Sequence, residues 1–194
     1  KDMYSRELSL TIECVEGTKQ LCIVNHYKHV GKQLATFAND DRMEVFVRSA
    51  IIGCETRKLC TKVFHNKHMP KQKKLHLAQA YIMSKGSYLA GTWSSLNITS
   101  EKKFHGAVLN MYRHAVGEHF KFDNSALVTD VNLLMDNELI SPSNIIRRNR
   151  IMFFIRLVYK NVNMILDLAC MCQLNVHAWS HVLIRDLKFC CKCS

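Results

Sequence analysis

A chain of 194 residues, 48% of them hydrophobic, can bury one sizeable core, which excludes a disordered polyelectrolyte. Its 27 lysines and arginines against 16 aspartates and glutamates give a net charge of +11, which favours polyanions such as nucleic acid over an anionic membrane surface or an acidic protein. No window approaches the roughly 20 apolar residues of a membrane-spanning helix. Arg156, Lys160 and Asp167 interrupt the most apolar region, so the chain is expected to be soluble and intracellular, nuclear or cytoplasmic.

The chain opens on Lys1 with no leader-like apolar run before its first strand, and reads as a piece of something longer. Nine cysteines, with Cys14, Cys22, Cys54 and Cys60 scattered singly, read as buried free thiols in a reducing compartment.

Leu8, Leu10, Ile12 and Cys14 alternate with polar residues, Glu16-Gly17-Thr18 turns the chain, and Leu21-Cys22-Ile23-Val24 runs back as a β-hairpin. The bend Tyr27-Lys28-His29-Val30-Gly31 then hands over to helices. A tyrosine, basic side chains and a glycine suit a turn pressed against phosphates, and suit equally a strand end with its tyrosine in the core.

Asp41 and Glu44 predict a capping box on a long helix whose buried side carries Met43, Val47, Ala50, Ile51, Cys54, Val63 and Phe64, with Gly53 as a soft point. Pro70 fits the first turn of the next helix, with a stripe of Leu75, Ala78 and Ile82. Lys71, Lys73 and Lys74 crowd its start. Cations there oppose the helix dipole, so a bound phosphate would compensate them; the alternative is a solvated face.

Gly86 and Gly91 bracket an irregular segment ending at Thr92-Trp93. Thr99 is expected to cap a helix with a core stripe of Phe104, Val108, Met111 and Ala115, closed by Gly117. A weaker helix spans about 127–135. Ser141-Pro142 starts another, with Arg147, Arg148 and Arg150 pointing different ways, either bracketing phosphates or pairing with acids on a neighbouring helix. Further helices are expected over about 163–172 and 178–189. The fold class is therefore mainly α: an N-terminal β-hairpin, then a multi-helix bundle.

Asp40-Asp41 has the look of a magnesium-binding carboxylate pair, but Asp41 opens a helix where a strand-turn-strand is needed, so it is read as a cap. Cys170, Cys172, His177, His181 and Cys190 through Cys193 form a loose zinc inventory, which Trp179 and the one-residue gap between Cys170 and Cys172 fit poorly. No nucleophilic triad, phosphate loop or dinucleotide fingerprint is present.

Several stretches together resemble the region that follows the catalytic palm core in reverse transcriptases of LINE-type, non-LTR retroelements. Val24-Asn25-His26-Tyr27-Lys28-His29-Val30-Gly31 resembles the primer grip, with valine for the usual leucine. Glu44 and Arg48 match the acid and arginine of the family's next helix, and Phe64-His65-Asn66 its connector. Tyr88-Leu89-Ala90-Gly91-Thr92-Trp93 resembles a segment ending Thr-Trp, and Tyr112-Arg113 a following helix. Arg147-Arg148-Asn149-Arg150 and Trp179 through Asp186-Leu187 resemble later elements in the same order.

The resemblance implies residues 1–36 as the end of the palm with the primer-grip turn, 37–120 as a thumb-like helical domain and 121–194 as a C-terminal helical extension. Fingers and the Tyr-x-Asp-Asp turn would lie upstream, so the piece would not polymerise DNA alone, and Mg²⁺ is expected only in that missing palm. It implies Tyr27, Lys28, His29 and Gly31 at the primer terminus. Lys71, Lys73, Lys74, Arg113, Arg147, Arg148 and Arg150 would take the phosphates of an RNA–DNA hybrid or RNA. The alternative is a non-catalytic basic helical domain that binds a structural RNA or an acidic protein.

Overall fold

The computed structural model describes residues 8–14, 17–23, 26–29, 32–35, 41–117, 129–160, 167 and 178–193, and within the strands the side chains of residues 17 and 18 only. The chain is mainly α, with an N-terminal β-hairpin followed by a multi-helix bundle. None of the described helices is long and apolar enough to cross a membrane.

Strand β1 (Leu8–Cys14) pairs antiparallel with β2 (Gly17–Ile23). The register sets Leu8 opposite Ile23 and Leu10 opposite Leu21. Cys14 faces Gly17, which leaves residues 15–16 as the connection and puts Gly17 and Thr18 inside the strand, not in the turn as expected. Gly17 has a φ of +113°, a conformation that glycine adopts without steric cost.

The expected bend at 27–31 is corrected. His26–His29 forms strand β3, paired with β4 (Lys32–Ala35), with Tyr27 opposite Leu34 and His29 opposite Lys32. Antiparallel strands need only a two-residue connection, so the segment makes a second hairpin before any helix begins. β4 lies against the first helix.

Helix α1 (Arg42–Leu59) continues into a π-helical turn, Cys60–Phe64. Its buried side is not the one the apolar residues suggest: Val45 and Ile52 are buried with Glu44, Arg48, Ser49, Glu55 and Thr56, while Met43, Ala50 and Cys54 are exposed. Polar groups tolerate this face because each finds a partner. Ser49 Oγ donates to the Val45 carbonyl at 2.8 Å, Thr56 Oγ1 to the Ile52 carbonyl at 2.7 Å, and Arg48 Nε to Glu44 Oε1 at 2.6 Å. The capping box is also replaced: Asp41 precedes the helix, but its Oδ2 accepts from Ser94 N at 2.8 Å and Ser94 Oγ at 2.9 Å.

Pro70 stands at the N-cap of α2 (Lys71–Leu77), which runs through a π-helical stretch, Ala78–Met83, into α3 (Ser84–Gly86). Leu75, Ala78 and Ile82 are buried, as their spacing predicts. A 3₁₀ turn, Ala90–Thr92, leads to α4 (Ile98–Val116). The cap of α4 is Asn97, two positions before the expected Thr99, and its side chain accepts from Ser100 N at 2.7 Å. Phe104, Val108, Met111 and Ala115 are all buried, and Gly117, at φ +86°, closes the helix.

Helix α5 (Asp130–Met135) and helix α6 (Pro142–Tyr159) begin at caps Thr129 and Ser141, each accepting from the backbone N–H three residues on. Leu133 and Ile146 join the same buried cluster as Val45, Ile52, Trp93 and Phe104, so the later helices share the core of the earlier ones. Trp93 is fully buried and meets Phe104 edge-on at 5.3 Å. The last helix is α7 (Trp179–Cys193), and the helix expected over 163–172 lies outside the described residues apart from residue 167.

Candidate nucleic-acid interface

Helix α6 carries three arginines within four residues, and its geometry sorts them. Successive residues turn by about 100° around the axis, so Arg147, Arg148 and Arg150 leave the helix in different directions. Arg150 points inward and is 4% exposed. Its Nη1 donates to Asp186 Oδ2 on α7, and its Nε donates to the Trp93 carbonyl at 3.2 Å. Burial pushes the Arg150 guanidinium pKa below its ordinary value, against the opposing pull of Asp186.

The assignment of Arg150 to a phosphate is therefore corrected: the guanidinium is buried and already paired with a buried carboxylate. Arg147 is partly committed as well. It donates to Asn144 Oδ1 at 3.0 Å, lies 3.5 Å from Asp186 Oδ1, and stacks over Phe189 at 4.0 Å. Arg148 is exposed.

The other cations divide the same way. Lys71 and Lys73 are exposed. Lys74 turns back, and its Nζ donates to the Phe64 carbonyl at 2.7 Å. That carbonyl belongs to the end of the preceding π-helical turn, where a cation is favourable, so this lysine is compensated without a phosphate. Arg113 donates to Asp130 Oδ1 at 2.5 Å. Tyr27, Lys28 and His29 lie on β3 with side chains outside the described residues, as does Gly31 altogether.

The stretches around Gly91, Arg150 and Trp179 meet in space. Trp179 Nε1 donates to the Gly91 carbonyl at 2.6 Å, and its ring meets Phe153 of α6 edge-on at 5.7 Å. A Cβ on Gly91 would stand 2.6 Å from the Asn149 carbonyl oxygen and 2.8 Å from Phe153 Cβ, so the absent side chain is what lets the 3₁₀ turn press against α6. Farther along, the Arg48 guanidinium lies 4.9 Å from the centre of the Tyr88 ring. Residues that look like scattered recognition motifs thus serve first to lock α1, the 3₁₀ turn, α6 and α7 together.

A groove of about 580 Å³ opens beside this junction, between the turn at 87–92 and α6. Arg148, Met152 and Arg156 recur every four residues along it, Phe153, Met83 and Tyr88 add apolar and aromatic surface, and Gln79, Ser84, Ser87 and Thr92 add polar groups. No carboxylate lines it among the described residues. Arg156 entered the sequence reading only as a break in an apolar run; the signal that marks it is its spacing of four from Met152 and eight from Arg148. A smaller cleft of about 190 Å³ holds Arg147, Arg150 and Arg185 with Glu101 and Asp186, so its charges largely offset one another.

No cluster of three or more histidine, cysteine or acidic side chains that could hold a metal occurs among the described residues. Cys170, Cys172 and His177 of the zinc inventory lie outside them. Asp41 accepts hydrogen bonds from Ser94, and Asp40 lies outside the described residues. The expectation of buried thiols holds for Cys60 but not for Cys54, Cys190 and Cys191, which are exposed. Cys60 Sγ lies 3.5 Å from His114 Nδ1, yet burial pushes its thiol pKa up, the wrong direction for a nucleophile. No protein-family model, curated protein or solved structure matches this chain.

Proposed function

We propose that this chain is a nucleic-acid-holding part of a retroelement RNA-directed DNA polymerase that grips primer and RNA–DNA hybrid and supplies no catalysis by itself. The observation that carries the reading is the convergence of the Gly91-Thr92-Trp93, Arg147–Arg150 and Trp179–Asp186 stretches, far apart in the chain, on one packed junction. Motif-like residues drawn together in this way support a shared architecture more than isolated short matches do. The net charge of +11 supplies the sequence-independent attraction that holding a hybrid requires.

Primer-terminus contacts fall to Tyr27, Lys28, His29 and Gly31. Lys71, Lys73 and Arg148, all exposed, are the phosphate contacts of first choice. Binding of a blunt RNA–DNA hybrid, followed by fluorescence anisotropy from 50 to 300 mM salt, should weaken linearly on a log–log plot. Absent or salt-insensitive binding overturns the reading.

A second reading, a non-catalytic interaction domain for an acidic protein or structural RNA, is favoured by Ile155, Val158 and Tyr159. They leave α6 50%, 45% and 88% exposed, an apolar strip that a phosphate backbone does not use.

A further inference from the structure

We propose that the groove between the 87–92 turn and α6 holds one unpaired nucleotide of a single strand, its base against the apolar floor and its phosphates on Arg148 and Arg156. The proposal rests on the nucleic-acid reading above and adds to it a site that accepts a base rather than a duplex backbone.

The argument starts from α6. Residues four apart lie on one face, so Arg148, Met152 and Arg156 form a row about 12 Å long at 1.5 Å rise per residue. A cation stands at each end of that row and a thioether between them. Phe153, on the adjacent row, and Tyr88, across the groove, add aromatic surface. Met152 and Tyr88 are 43% exposed, apolar and aromatic surface that water covers at a cost.

A duplex backbone alone would leave this floor uncovered. An acidic peptide would satisfy the arginines but has no flat face to set on it. A nucleotide offers both a π-face and a phosphate, the pairing used where single strands are held on stacking surfaces flanked by cations. The groove volume of about 580 Å³ is within the range typical of small-ligand sites.

The local chemistry keeps the charge directed outward. Ser87 Oγ donates to the Met83 carbonyl at 2.6 Å, Thr92 Oγ1 to the Leu89 carbonyl at 2.9 Å, and Asn149 Nδ2 to the Ile145 carbonyl at 2.9 Å. The two hydroxyls spend their protons on the protein, which leaves the two guanidiniums as the charged donors of the lining, beside the amides of Gln79 and Asn149. The Gly91 contact with α6 sets the depth of the groove.

The test uses the whole chain and three labelled probes: an oligothymidylate of ten nucleotides, an abasic strand with the same phosphates, and a blunt RNA–DNA hybrid. Oligothymidylate is expected to bind at least about fivefold tighter than the abasic strand, because stacking contributes about 1–3 kcal/mol per base. The double variant Arg148→Gln with Arg156→Gln should weaken both single strands and flatten their salt dependence by about 1.4 in slope, at about 0.7 per phosphate, while Tyr88→Ala with Met152→Ser should abolish the base preference. A charge-matched control, Lys67→Gln with Lys102→Gln, should keep the base preference, and circular dichroism confirms that each variant folds.

Equal binding of the abasic strand and oligothymidylate overturns the proposal. So does a base preference that survives Tyr88→Ala with Met152→Ser, a salt slope unchanged in the arginine double variant, or an oligoglutamate peptide that displaces the strand at equal concentration. If the hybrid still binds with steep salt dependence in those cases, the broader reading stands and only the nucleotide site falls. If no probe binds, both fall.

Discussion

Replacing Asp186 by alanine should be among the most damaging single changes in the described part of the chain. The carboxylate is 2% exposed and receives Arg150, which is 4% exposed, with Arg147 3.5 Å from its other oxygen. Its removal leaves a buried guanidinium without a counter-charge, which costs about 3–5 kcal/mol. Against a total stability of about 5–15 kcal/mol that is a large fraction, so urea unfolding is best followed in the cold.

Arg150→Met with Asp186→Leu removes both charges and should cost less than Asp186→Ala alone. The residual cost is the donor lost to the Trp93 carbonyl, about 1–3 kcal/mol. A double-mutant cycle should therefore return a coupling of at least about 2 kcal/mol. Additive single effects, or an Asp186→Ala cost below about 1 kcal/mol, would refute the reasoning. The charge-free double variant should bind the hybrid with an unchanged salt slope, because Arg150 does not face the ligand.

Gly91→Ala should destabilise by about 1–3 kcal/mol, the usual cost of overpacking, because the new methyl meets a backbone carbonyl at 2.6 Å and a Cβ at 2.8 Å and neither yields easily. Unfolding midpoints within error of the parent would contradict it. Glu55 gives a pH prediction. Hydrogen bonds from Lys58 at 2.6 Å and Lys85 at 3.0 Å hold its pKa at about 2. A depressed carboxylate stabilises the fold fully above its unfolded value, roughly 4.3, and loses that contribution as pH falls towards the folded value. Glu55→Gln should thus flatten the fall in unfolding midpoint between about pH 4.5 and pH 2 relative to the parent, and an identical acid limb would count against the contact.

Helix stripes of uniform chemistry were legible from spacing alone. Phe104, Val108, Met111 and Ala115 are buried as the period demands, and Ser141-Pro142 and Gly117 mark their helix ends. Helix α1 was legible as a helix but its buried face was not, because its apolar residues are spread around the axis and that face is held by Glu44–Arg48 and by hydroxyls bonded back to the preceding turn. Apolar period carries no information about a face whose polar groups are satisfied internally. The bend at 27–31 misled for another reason: a glycine after basic residues serves a hairpin as well as a strand-to-helix turn, and only the partner strand 32–35 separates the two. The groove was invisible because Tyr88 and Arg156 come to line one groove only through the fold.

The same distinction decides what the positive charge is worth. Counting cations in the sequence treats Lys71, Lys73, Lys74, Arg113, Arg147, Arg148 and Arg150 as equivalent, and seven phosphate contacts at about 0.9 each imply a duplex salt slope near −6. Packing removes Arg150 outright and gives Lys74, Arg113 and Arg147 carbonyl or carboxylate partners within the protein. Lys71, Lys73 and Arg148 remain, and with the exposed Arg156 and Arg185 they imply a slope closer to −4.5. A measured slope near −6 would require the partnered cations to break their internal contacts on binding, and Arg150→Met would then reduce it. An unchanged slope in that variant is the outcome expected if guanidinium–carboxylate pairing, rather than nucleic acid, is what holds α6 to α7.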